Sequence, residues 1–161
     1  MTDAVHASLA LLFAELIDGP AADAAYMLNG GDPGLLRSLD RLSAAAASKP
    51  APAGGTSIAA HVDHLCYGLE LMLRWSGGEA DPWTSADWAA SWSRTSVNDR
   101  EWKALRDRLR ELARQWQDEL RKPREMSAVE LNGIIATIPH LAYHLGAIRQ
   151  IDRSIQGPKA E

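Results

Sequence analysis

The chain has 161 residues, 46% of them hydrophobic and 24% charged, with a formal net charge of −4. That length and balance suit one globular domain able to bury its own core, and the acidic balance excludes a broad nucleic-acid-binding face, which needs clustered positive charge. A single cysteine, Cys66, excludes an internal disulfide.

The first amphipathic segment spans residues 2–17 and carries Val5, Leu9, Leu12, Phe13 and Leu16 on one side. Asp3 precedes its apolar run and no positive residue leads it, so it reads as a helix and not as a signal peptide. Gly19-Pro20 ends it. No stretch of the chain approaches about 18 consecutive apolar residues, so no membrane span is expected, and the expected location is the cytoplasm. A short helix is predicted over residues 33–47, followed by a flexible connection, "SKPAPAGG".

The second long helix is predicted over residues 57–75, with Ile58, Val62, Leu65, Leu69, Met72 and Leu73 as its apolar positions. A stretch holding Trp83, Trp88 and Trp92 follows and reads as a short helix plus loop covering one end of the core. The third helix, residues 99–122, repeats Trp102, Leu105, Leu109, Leu112, Trp116 and Leu120 at three- and four-residue steps. Asn98 and Glu101 form a capping box at its start, and Asp99 with Lys103 and Asp118 with Lys122 are spaced to pair on its outer face. The fourth helix opens at Ser127, with Glu130 as its capping partner, and carries Ile134, Ile138, Leu141, Leu145 and Ile148. Pro139 lies inside it, as a kink or a break. The pattern is all-α: an antiparallel four-helix bundle with short extra helices in the connections, residues 1–155 forming one domain and 156–161 a frayed tail.

The chemistry sits in five histidines. On a wheel that starts at Ile134, His140 and His144 fall at about 240° and 280°, side by side on one flank of the apolar stripe. Residues four apart can address one ion. On the second helix, His61 and His64 both lie off the polar arc of Asp63, Glu70 and Arg74, and His61 is nearer the core stripe. Three neutral imidazoles from two helices match an open metal site; the alternative is a set of buried histidines hydrogen-bonded to their neighbours. His6 has no partner nearby in sequence and is expected at the surface or an interface; Cys66 is expected in the core. No Ser-His-Asp arrangement, phosphate-cradling glycine loop, pair of catalytic carboxylates or general base stands out.

Two segments carry a resemblance. "TSIAAHVDHL" resembles the second-helix segment of the DinB/YfiT-like superfamily of four-helix-bundle proteins, with its Ser or Thr start and a His-Leu pair, here His64-Leu65. "HLAYHLGAI" resembles the family's fourth-helix H-x-x-x-H-x-G signature, and the order and separation of the two segments fit as well. The resemblance implies a divalent metal, zinc or nickel, held by His64, His140 and His144, with His61 left spare. The family often has Gln where Ala147 stands here. It further implies a metal-dependent enzyme, hydrolase-like or a transferase or isomerase using a low-molecular-weight thiol, acting on a small molecule as a homodimer. Apolar faces on the first and third helices broader than one bundle seam needs point the same way. The competing expectation is a non-catalytic binding or stress-response bundle with structural histidines or a structural metal.

Overall fold

A computed structural model describes residues 2–21, 24–52 and 54–159. Four long helices make the bundle: α1 (Thr2–Asp18), α4 (Ile58–Ser76), α5 (Asp99–Arg121) and α6 (Ala128–Ile151). Two short ones, α2 (Gly34–Asp40) and α3 (Ala44–Ala47), divide the segment predicted as one helix over residues 33–47. The division falls where Ser43 turns its hydroxyl to the Ala46 N–H and starts a new helix. No strand occurs among the described residues, and none of their helices is long and apolar enough to cross a membrane.

The predicted helix ends hold. Asn98 with Glu101, and Ser127 with Glu130, form reciprocal capping boxes at the starts of α5 and α6. Gly19 stops α1 with φ near +89°, and a Cβ there would meet the Asp32 carbonyl oxygen at 2.0 Å, so only glycine fits. Pro139 does not break α6. It lies on the exposed face, so the Ile135 carbonyl that loses its helical partner faces water.

Around the bundle the order is α1, α5, α4, α6. Two neighbouring pairs run antiparallel. His6 at the start of α1 meets Leu120 at the end of α5, while His61 and Trp75 of α4 lie level with His144 and Gly133 of α6. The other two pairs run in the same direction. Ser48, tied through the Pro50–Ser57 bridge to the start of α4, bonds to Val97 just before α5. Arg149 near the end of α6 grips Asp32, which packs on Gly19 at the end of α1.

A parallel α4 and α5 require a chain that returns along the bundle between them, and residues 77–98 do this. Trp83 packs edge-on against Trp75, Trp88 against Tyr67 and His64, and Trp92 against His61 and His64; Arg94 then pairs with Asp63 at 3.2 Å. The tryptophan-rich stretch is therefore a strap along the α4 side of the bundle and not a cover over one end, because its two ends must lie a helix length apart.

The core gathers Phe13, Leu16 and Ile17 of α1, Leu65 and Leu69 of α4, Trp102, Leu109 and Trp116 of α5, and Ile134, Leu141 and Ile148 of α6. Both indoles of α5 satisfy their N–H groups inside it, Trp102 on the Leu42 carbonyl at 2.8 Å and Trp116 on the Thr137 hydroxyl at 3.2 Å. The broad apolar face of α5 is thus consumed within the chain. Its outer charges pair differently from the spacing first suggested: Lys103 bonds Asp107 and Lys122 bonds Glu119, in place of Asp99 and Asp118. His6, expected at the surface, is buried; its Nδ1–H donates to the Leu120 carbonyl at 3.1 Å, and its Nε2 accepts from the Arg124 N–H. It closes the C-terminal end of α5, whose last carbonyls lack helical partners.

Candidate metal centre

The antiparallel pairing of α4 and α6 sets His64 against the His140–His144 pair. Their Nε2 atoms converge: His64 to His140 is 3.3 Å and His140 to His144 is 3.0 Å. All three ligand atoms lie within 4.8 Å of one another, and no fourth His, Cys, Asp or Glu joins them among the described residues. Nitrogens bound tetrahedrally at about 2.0–2.1 Å are spaced by about 3.3 Å, so three imidazoles in this arrangement can hold a divalent ion.

The other ring nitrogens are engaged in a way that turns the lone pairs inward. Ser91 Oγ donates its proton to the Trp88 carbonyl at 2.7 Å, so it accepts from His64 Nδ1–H at 2.8 Å. The lone pair of His64 is then on Nε2, aimed at the cluster. His144 Nδ1 lies 2.8 Å from His61 Nδ1. That contact lets His144 carry its proton on Nδ1 and present Nε2 as a lone pair. Trp92 stacks on His64, with centroids 4.2 Å apart and planes 22° off parallel, and fixes the ring's orientation.

Burial dominates the electrostatics. It holds His64 down to about 4 and His144 down to about 3, with smaller contributions from the neighbouring imidazoles, and it also lowers His61 and His140. The four rings are therefore neutral near pH 7, the form a metal requires. His64 and His144 are buried, while His140 is half-buried and borders a cavity between α4, α6 and the strap.

A family model described as the DinB superfamily matches residues 33–148. The chain belongs to the DinB superfamily. No curated protein and no solved structure matches it. The matched DinB region includes α4, the strap, α5 and all three converging histidines, while α1, with His6 and Phe13, precedes it.

Within this DinB bundle the residues singled out by sequence fall as follows. His64, His140 and His144 come together, and His61 stands behind His144 as its partner. Cys66 is wholly buried in the core, with burial pushing its thiol up to about 12, so it offers no nucleophile. Ser91 was not legible: a serine in an irregular connection carries no periodic signal, and its role depends on where the strap crosses α4. Trp92 was visible as an aromatic, but its stacking on His64 was not.

Proposed function

We propose that the protein is a divalent-metal-dependent enzyme acting on a small molecule, with His64, His140 and His144 as ligands of zinc or nickel. The observation that carries this reading is the convergence of three Nε2 atoms with no fourth side-chain donor among the described residues. A structural ion is ordinarily closed by four protein ligands, whereas a catalytic one keeps a position open. The half-buried ring, His140, lies on the cavity side, where substrate would enter.

A divalent ion held there would lower the pKa of a bound water or thiol toward neutrality. The chain's own contribution is to orient and to exclude. Ser91 and His61 fix ring orientation and proton position, and Trp92 covers His64. Among the described residues, no carboxylate, lysine or tyrosine lines the cavity. That favours transfer or isomerisation with a low-molecular-weight thiol over hydrolysis, because an ionised thiol needs no further base, while attack by water is helped by one.

The test is elemental analysis of protein purified without a nickel-affinity column. About one zinc or nickel per chain is expected, lost in His144→Ala. Metal far below one per chain and unchanged by that substitution overturns the reading.

A further inference from the structure

Beside the histidines lies a cavity of about 330 Å³, near the lower end of the roughly 300–1,000 Å³ usual for small-molecule sites. Phe13 of α1, Leu69 and Met72 of α4, and Trp83 and Trp88 of the strap form its walls, and of the three converging histidines His140 reaches it. Among the described residues, no Asp, Glu, Lys or Arg lines it. Thr137 also borders it, but its hydroxyl is already engaged, donating to the Ile134 carbonyl at 2.7 Å and accepting from Trp116 Nε1 at 3.2 Å. A charged group seated there would lose its water and find no partner, which is costly. Gly68 keeps the space against His140 free: a Cβ would touch the ring at 3.7 Å, and a longer side chain would extend into the cavity.

We propose that this cavity seats the substrate, and that the substrate is an uncharged molecule with an apolar body of aromatic size ending in one metal-binding atom. The metal-binding end rests on the function proposed above; the apolar seat rests on the cavity alone. The body lies between the strap tryptophans and α4, and its terminal atom lies at His140. Selectivity comes from exclusion: the walls offer no group to replace the water around a charge, so a charged analogue carrying the same terminal atom binds poorly.

Three probes separate the parts. 2-Phenylethanethiol has both the body and the thiol, 2-aminoethanethiol has the thiol with a charge in place of the body, and ethylbenzene has the body alone. Binding is measured by calorimetric titration, and thiol ligation by the sulfur-to-cobalt absorption of cobalt-loaded protein. Phenylethanethiol is expected to bind roughly ten- to a hundredfold more tightly than aminoethanethiol. Ethylbenzene is expected to bind with or without metal. Gly68→Leu should abolish ethylbenzene binding, and so should Ala136→Phe, which fills the cavity from an exposed position of α6 where folding is at little risk; Ala136→Phe should leave metal content unchanged. Equal affinity for the two thiols, or undiminished ethylbenzene binding in both filled variants, overturns the proposal and leaves the metal reading standing. Ethylbenzene binding that both variants abolish, with no cobalt–sulfur absorption from either thiol, supports the apolar seat and sinks the thiol-dependent part of the functional reading instead.

Discussion

His61 and His144 face each other Nδ1 to Nδ1 at 2.8 Å across the α4–α6 seam. A ring nitrogen held this way fixes which nitrogen of His144 is free, and such outer partners typically influence metal affinity by about 10–100-fold. His61→Ala should therefore keep about one ion per chain at saturating metal but weaken binding by roughly that factor. His64→Ala should abolish stoichiometric binding. Competition titration against a chelator measures both, and the opposite ranking would show the ligand assignment to be wrong.

Ser91→Ala removes the acceptor for His64 Nδ1–H. A loss of about 10–100-fold in metal affinity is expected, with Ser91→Thr restoring most of it because the hydroxyl is kept. A metal affinity unchanged in Ser91→Ala would mean that the strap covers the site without orienting it.

Acid should destabilise the metal-free protein early. The folded imidazoles are lowered from 6.5, His64 to about 4 and His144 to about 3. Between those values the unfolded chain binds more protons than the folded one, so stability is full above pH 6.5 and falls as pH drops toward 3. Chelator-treated protein should melt at a lower temperature at pH 5 than at pH 7.5, and His144→Ala should flatten that slope. A slope identical in the two proteins would exclude the histidine cluster as its source.

Asp32 and Arg149 form a two-pronged pair at 2.7 and 2.9 Å with side-chain exposures of 3% and 13%. Asp32→Ala leaves a buried guanidinium without its counter-charge and should destabilise by about 3–5 kcal/mol. Chemical denaturation reads this directly; a change below about 1 kcal/mol would show the pair to behave like a solvated one.

We propose that two copies pair through α1 and α6. No Asp, Glu, Lys or Arg occurs between residues 4 and 14 or between 131 and 148, yet Leu11, Ile135 and Tyr143 are 44%, 45% and 67% exposed on the outer faces of these adjacent helices. An uncharged exposed face of this kind suits a partner surface. Light scattering should give a dimer mass at micromolar concentration, reduced to monomer by Leu11→Glu or Ile135→Glu. A monomer in the parent protein refutes the pairing.

Much of the bundle could be read in advance because helix signals are local. The caps at Asn98 and Ser127 and the glycine stop at Gly19 act within one turn, and all appear as the spacing implied. The flank position of His140 and His144 followed from helical geometry alone. What could not be read depends on direction. Hydrophobic periodicity is the same whether neighbouring helices run parallel or antiparallel, so the course of residues 77–98 was hidden, and with it the places of Ser91 and Trp92. His6 was misplaced for the same reason: its partner, Leu120, is 114 positions away. That His64 meets His140 while His61 meets His144 depends on how α4 packs on α6, which a wheel of one helix does not contain.

The strap, irregular but for a short 3-10 turn at Ala90–Trp92, lacks the continuous hydrogen-bond ladder of the four long helices. It is tied to α4 by a few polar contacts, Asp87 N–H to the Tyr67 hydroxyl, Ser91 to His64 and Arg94 to Asp63, and by stacked rings. The strap should therefore open before α4 and α6 part, its amides exchanging with solvent faster than those of the bundle. Opening would also release His64 Nδ1. By reciprocity, whatever tightens the grip of His64 on an ion must tighten the strap by the same free energy. Occupancy of the histidines would then be written into the exchange rates of residues 86–94, a stretch of chain that contains none of them.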